Sequence, residues 1–85
     1  MTDTDILIIR KMLQLLIGVG PVGLEEAALK EQAEIAAGRP LTTSEQDLAM
    51  RQLRDRKWIA SYRQPITERV RWYVTEPGKM AYAAL

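Results

Sequence analysis

The residues of this chain best suited to chemistry are arginines in its second half. Arg51 and Arg54 have the spacing of neighbours on one side of a helix, and Arg63, Arg69 and Arg71 follow in a segment of alternating side chains. A guanidinium group donates hydrogen bonds in a fixed fork that suits phosphate oxygens and the acceptor edge of guanine. These residue types therefore favour binding of a polyanion.

The charge of the chain is unevenly distributed along its length. Residues 1–38 carry three basic and six acidic side chains, a net charge of −3, whereas residues 39–85 carry nine basic and five acidic side chains, a net charge of +4. A polyanion-binding face needs such an asymmetry. An ordinary solvated surface can also produce it, so the charge alone leaves both interpretations open.

Composition argues against catalysis. Cysteine and histidine are absent, which excludes disulfides, the usual zinc ligands, and nucleophiles activated by histidine. Glu25, Glu26, Glu31 and Glu34 have helical spacing, but carboxylates on an alanine-rich helix are typically solvated. The glycine-rich segment 18–23 lacks the Lys-Ser/Thr that follows a phosphate loop. We expect neither an enzyme nor a cofactor or metal site.

Length and hydropathy predict one small domain, residues 1–85. No apolar run approaches the roughly 20 residues that a membrane helix needs. The acidic segment 2–5 also lacks the positive charge with which a signal peptide starts. We therefore expect a soluble cytoplasmic protein without membrane partners.

The first helix is predicted over residues 5–17, with Asp5 as its N-cap. Its inward stripe comprises Ile6, Ile9, Met12, Leu13, Leu16 and Ile17. Three further apolar residues lie away from this stripe: Leu7, Ile8 and Leu15. A helix with a single buried face would not carry them, so we expect the C-terminal segment or another subunit to cover them.

Two more helices are predicted next. Residues 24–37 form the second, which carries Leu24, Ala28 and Ile35 on one side and stops at Gly38. The third covers residues 42–56 and starts with a capping box of Thr42 and Glu45. Its predicted inward residues are Ala49, Met50 and Leu53, with Gln46 at the rim, whereas Ser44, Asp47, Leu48, Arg51, Arg54 and Asp55 face outward.

A β-hairpin and a short helix are predicted to complete the chain. The strands span 58–64 and 68–75 and are joined by a turn at 64–67. Thr75 is the expected cap of a last helix that runs to Leu85, with Pro77 in its first turn. Met50, Leu53, Trp58 and Trp72 are interpreted as core residues rather than stacking platforms for bases.

Two motifs in the second half resemble those of winged-helix regulators. Residues 50–59, Met-Arg-Gln-Leu-Arg-Asp-Arg-Lys-Trp-Ile, resemble the Leu-x-x-Leu-x-x-x-Gly-Leu-Ile run that closes their recognition helix. Residues 73–78, Tyr-Val-Thr-Glu-Pro-Gly, resemble their Tyr-x-Leu-Thr-x-x-Gly ending. Lys57 stands where the family usually has glycine. Either Lys57 adopts the left-handed backbone conformation that ends the helix, or the chain leaves the helix in a different conformation. The spacing from the first helix to Ile59 also resembles that of small proteins of Mu-like prophages.

The resemblance implies an α+β winged helix-turn-helix fold, with a three-helix core, a C-terminal hairpin wing at 58–75 and a short final helix. It further implies a phage-type transcriptional regulator that places helix 42–56 in the major groove of duplex DNA and the wing on the phosphate backbone. The candidate DNA-binding residues are Thr43, Ser44, Asp47, Arg51, Arg54, Arg63, Arg69 and Arg71. The carboxylates of Asp47 and Asp55 would repel phosphate from the reading face.

A second interpretation is a winged-helix module that docks protein without binding DNA. An exposed Leu48 between acidic residues would suit a protein partner. A homodimer is a further possibility, because Leu7, Ile8 and Leu15 offer apolar surface beyond the inward stripe.

Overall fold

The computed structural model describes residues 2–85 and has an α+β architecture. Its elements are α1 (Asp3–Val19), a 3-10 turn (Gly20–Val22), α2 (Glu26–Ala37), α3 (Thr43–Asp55), β1 (Ile59–Arg63), β2 (Val70–Val74) and α4 (Glu76–Ala84). The two strands pair antiparallel. The expected order of three helices, a hairpin and a final helix is confirmed. None of the helices within residues 2–85 is long and apolar enough to cross a membrane.

Helix α1 begins two residues before the predicted start. The Thr2 hydroxyl accepts a hydrogen bond of 3.2 Å from the N–H of Asp5, and the Asp5 carboxylate accepts one of 3.1 Å from the N–H of Thr2. This capping box makes Thr2 the N-cap and places Asp5 within the first turn. The helix continues through Gly18 and ends before Gly20, whose φ of +80° suits glycine.

The core surrounds α1, which packs against α2, α3, α4 and β2. Its fully buried large side chains are Ile8, Ile9, Met12, Leu13, Leu16, Leu29, Met50 and Leu53. Of the two covers expected for Ile8, the chain itself or another subunit, the structure shows the first, since only 2% of Ile8 is exposed, and Leu15 is partly buried against the same core. Ile8 is therefore not available as a subunit-interface residue. A helix packed by neighbours on several sides buries more than one stripe, so this residue is covered within the chain.

Helix α2 begins at Glu26 rather than at Leu24 because Leu24 pairs with the hairpin. Leu24 and Trp72 exchange backbone hydrogen bonds of 2.9 and 2.7 Å and form an antiparallel bridge beside β2. The predicted packing face of Leu24, Ala28 and Ile35 is wrong at Ile35, whereas Leu24 is partly buried against the core. Ile35 is 66% exposed, and Leu29 and Ala33 contact the core instead.

Helix α3 has the predicted start and inward residues. Thr42 and Glu45 form the expected capping box, and Ala49, Met50 and Leu53 are buried. The helix ends in a Schellman motif, in which the N–H of Trp58 bonds to the carbonyl of Leu53 at 3.0 Å and the N–H of Lys57 to that of Arg54 at 3.0 Å. Lys57 has a φ of +59°, so it adopts the left-handed conformation usually given to glycine.

The hairpin strands are shorter than predicted and become more exposed toward the turn. Ile59 pairs with Val74 at the buried base, and Arg63 pairs with Val70 near the exposed tip. The turn is closed by a 2.9 Å hydrogen bond from the N–H of Gln64 to the carbonyl of Arg69. The predicted cap of α4 is confirmed, since the Thr75 hydroxyl accepts a hydrogen bond from the N–H of Gly78.

Candidate nucleic-acid interface

The outward side of α3 presents polar residues at both of its ends. Thr43 and Ser44 are exposed in the first turn, where backbone N–H groups are free of intrahelical acceptors. Arg51 and Arg54 are exposed in the last two turns. Leu48 lies between the two ends and is partly buried, so it is less exposed than the sequence led us to expect. The accessible part of this side is therefore polar and ends in two arginines.

Asp47 belongs to a bridge between α2 and α3. Its Oδ1 lies 2.9 Å from the Nζ of Lys30, which also lies 3.1 Å from a carboxylate oxygen of Glu26. The hydrogen bond with Asp47 raises the pKa of Lys30 above its ordinary value. The bridge reduces the repulsion that Asp47 would exert on phosphate, and it also engages Lys30. Asp47 therefore positions the two helices relative to each other.

A second ion pair fixes the start of α3. The Arg39 guanidinium donates to both carboxylate oxygens of Glu45, at 3.3 and 2.8 Å. Glu45 also accepts the N–H of Thr42 at 3.0 Å. The hydrogen bond from Arg39 and, to a smaller extent, that from Thr42 lower the pKa of Glu45 to about 2. The carboxylate is thus ionised at neutral pH and holds the connection between α2 and α3.

The strand register places the hairpin arginines on two different faces. Residues directly opposite each other in an antiparallel pair share a face, and successive residues alternate between faces. Arg63 is opposite Val70, on the face that includes Trp72. Arg71 is opposite Tyr62 on the other face, together with Arg69. The three arginines expected to follow one phosphate backbone therefore do not form a single surface.

The face of Arg69 and Arg71 holds the segment that leads into α2. Nη1 of Arg71 donates to the carbonyl of Gly23 at 3.1 Å, and Nη1 of Arg69 lies 3.3 Å from Oε1 of Glu25. The Tyr62 hydroxyl donates to the carbonyl of Val22 at 2.8 Å. Arg71 is half-buried there. These two arginines fasten the hairpin to the helical part of the molecule, a role that their spacing in the sequence did not indicate.

The opposite hairpin face adjoins the end of α3. The Arg54 guanidinium carbon lies 6.0 Å from the centre of the Trp72 ring, a cation–π distance. Toward the tip, this face continues with exposed residues that point to the same side of the hairpin as Trp72. We refer to the resulting region as the helix–hairpin surface, and its members are Arg51, Arg54, Ser61, Arg63, Val70 and Trp72.

The surroundings of this surface carry uncompensated positive charge. Residues 51–63 contain five basic side chains against the single acidic Asp55. None of the five forms an ion pair with an acidic residue in the described part of the chain, residues 2–85. Arg56 lies 5.2 Å from the centre of the Trp58 ring. Arg56 and Lys57 were not selected from the sequence, although the charge run that contains them was a usable signal.

Other potential sites offer less chemistry. Over residues 2–85 there is no group of three or more acidic side chains placed to hold a metal ion. A surface pocket of about 430 Å³ lies between the end of α1, the end of β2 and the start of α4. Its lining is mostly apolar, and its charged groups, Lys79 and Glu76, pair with each other at 3.2 Å. The helix–hairpin surface is therefore the strongest candidate site.

Comparisons with known proteins do not assign the chain to a family. No protein-family model matches it, and neither the curated proteins nor the solved structures contain a significant match. A function for this chain is therefore argued from its own geometry and charge.

Proposed function

We propose that this chain is a small winged-helix protein that binds duplex DNA, with α3 in the major groove and the hairpin along the adjacent backbone. The observation that carries the proposal is the concentration of basic side chains along residues 51–63, next to the outward side of α3, which form no ion pairs within residues 2–85. In view of the sequence resemblance, we propose the role of a phage-type transcriptional regulator.

The proposed contacts follow from the position of each side chain. The major groove is about 12 Å wide and admits a helix, so Arg51 and Arg54 would meet guanine edges or phosphates. Thr43 and Ser44 would meet phosphate at the N-terminus of α3, where the helix dipole favours negative charge. Arg63 would contact the backbone from the hairpin.

The winged-helix assignment itself draws on three features. The chain has the order of three helices, a hairpin and a final helix. Helix α3 ends in a left-handed residue at the position where the family usually has glycine. Thr75 and Gly78 cap the final helix at the position of the family's Thr-x-x-Gly ending. Because these features concern architecture, they support the fold more strongly than the ligand.

Binding of a mixed-sequence duplex, measured by fluorescence anisotropy at two salt concentrations, tests the proposal. The affinity should fall as salt rises, because bound cations displace counterions from DNA. The variant Arg51→Ala/Arg63→Ala should bind at least about tenfold more weakly, and its slope of log affinity against log salt should be smaller by about two. Both side chains are exposed, so the variant should fold normally.

The matched control is Arg10→Ala/Lys79→Ala, which removes the same total charge from α1 and α4. Arg10 lies over the Tyr82 ring at 5.5 Å, and Lys79 pairs with Glu76. This control should retain most of the affinity and the salt slope of the parent protein. Absence of binding by the parent protein at low salt would overturn the proposal, as would equal losses in the two double variants.

A protein-docking module is the second candidate. It is favoured by the apolar side chain of Ile35, which is 66% exposed on α2, and by the partly exposed Leu48 on α3. A second copy of the chain is one such partner, and Leu7, 47% exposed on α1, would supply apolar contact. Sedimentation that shows self-association lost in Leu7→Asp or Leu48→Asp, together with no duplex binding at low salt, would favour this candidate.

A further inference from the structure

The tip of the hairpin exposes one large apolar side chain. Ile66 is 95% exposed, more than any other large hydrophobic residue among residues 2–85. Hairpin turns normally carry Gly, Asn, Asp or Ser, because their conformational freedom and local hydrogen bonds suit a turn. A β-branched apolar residue at this position gains nothing from burial within the chain, so its side chain is free to contact another molecule.

The turn that presents Ile66 is tightly hydrogen bonded. The N–H of Glu68 donates to the carbonyl of Gln64 at 2.9 Å, which reinforces the closing bond between Gln64 and Arg69. The Thr67 hydroxyl lies 3.3 Å from Oε1 of Gln64 and accepts the N–H of Arg69 at 3.3 Å. Pro65, directly before Ile66, has a fixed φ. The side chain is therefore held outward by an ordered support.

The surroundings of Ile66 suit the groove of a nucleic acid. Residues 64–67 carry no charge, and Arg63, directly before them, belongs to the helix–hairpin surface. From Ile59 at the buried base to Gln64, where the turn begins, five residue steps at about 3.3 Å each give a reach of roughly 17 Å, and the turn that carries Ile66 lies beyond it. A duplex held by α3 and Arg63 would thus bring a neighbouring groove within range of the tip.

We propose that Ile66 is a wedge that enters the minor groove of the bound duplex, partly unstacks a base step and bends the DNA. Proteins that bend DNA from the minor groove insert apolar side chains such as Ile, Leu or Pro in this way. A wedge needs only one apolar side chain, which Ile66 supplies. A stable protein interface buries roughly 800 Å² on each partner, so a single exposed side chain fits a wedge better than a protein interface. The inference depends on the proposed DNA binding, and it adds a contact that deforms the duplex.

Energy transfer between dyes at the two ends of a 30-base-pair duplex tests the wedge, with anisotropy as a separate measure of binding. The parent protein at saturation should raise the transfer efficiency as the ends approach each other. Ile66→Ser should bind within about threefold of the parent affinity and lose at least half of that increase. Ile66→Leu should restore it, and Ile35→Ser, which alters another exposed isoleucine, should behave as the parent protein does.

The two proposals fail in distinguishable ways. Duplex binding without a change in energy transfer overturns the wedge alone. The same holds if Ile66→Ser bends the duplex as strongly as the parent protein. If the parent protein produces no anisotropy change at low salt, DNA binding itself is overturned, and the wedge with it.

Discussion

The hydroxyl of Thr75 donates a hydrogen bond of 2.7 Å to the carbonyl oxygen of Lys57. The same hydroxyl accepts the N–H of Gly78 at 3.2 Å, so one side chain caps α4 and ties it to the end of α3. Lys57 is the left-handed residue at which the chain leaves α3 for β1. The contact therefore helps to set the direction of the hairpin relative to the helix that we propose reads DNA.

Thr75→Ala should reduce the free energy of unfolding by about 1–2 kcal/mol, because it removes a helix cap and a second hydrogen bond. Each kcal/mol corresponds to roughly 4–8 °C in the melting temperature of a domain of this size. Thr75→Ser keeps the hydroxyl and should stay close to the parent protein. Equal thermal stability of the alanine and serine variants would show that the hydroxyl contributes nothing.

Lys57→Gly should stabilise the fold. A left-handed residue with a Cβ is strained by about 1–2 kcal/mol, and glycine relieves this strain but increases the entropy of the unfolded chain by the equivalent of about 0.4–1 kcal/mol. We expect a net gain of about 0.5–1 kcal/mol in urea unfolding. Lys57→Ala also removes the charge but retains the strain, so it should show no comparable gain. A gain shared by both variants would instead point to the charge.

Gly78→Ala should be strongly destabilising, by about 2 kcal/mol or more, as expected of overpacking. A Cβ at this buried position would run into the carbonyl oxygen of Trp58 and a methyl group of Val74. Gly18→Ala is the matched control, because nothing lies within 4 Å of its added Cβ. It lies within α1 and should stabilise by about 0.5–1 kcal/mol. Similar melting temperatures for the two variants would contradict the close contact at Gly78.

The contribution of Glu45 to stability should depend on pH. Its pKa is about 2 in the folded protein, below the ordinary value of 4.5, mainly because of Arg39. A carboxyl group whose pKa is lower in the folded state than in the unfolded state stabilises the fold at pH values above its unfolded pKa. This stabilisation is lost as the pH falls toward the folded pKa. Glu45→Gln should thus be less stable than the parent protein at pH 7, and the difference should shrink between pH 4.5 and 2. A constant difference in urea midpoint over this range would exclude the ion pair as its cause.

Local sequence signals predicted the features that depend on neighbouring residues. The capping box of Thr42 and Glu45 and the cap formed by Thr75 each join groups three residues apart, so the residue types alone were sufficient. The inward residues of α3 followed from helical periodicity. The start of α1 was misplaced because Asp5 resembles an N-cap, although its carboxylate completes the box of Thr2.

Contacts between distant segments could not be predicted in this way. The bond from Arg71 to the carbonyl of Gly23 joins residues 48 apart, and that from Tyr62 to Val22 joins residues 40 apart. Arg69 and Arg71 therefore resembled a free basic strand. The sequence likewise left open whether the chain itself or another subunit covers Ile8, because the answer depends on how many elements surround α1.

The sequence by itself determined the order and type of the elements, the Thr42 cap of α3 and the Thr75 cap of α4, and the excess of positive charge in the second half. These properties depend on backbone propensity, hydrophobic period and residue type. Only the tertiary structure decided which cations share a surface. Strand register assigned Arg63 to the side of Arg54, and packing engaged Arg71 with Gly23, because pairing between distant segments sets the direction of each side chain.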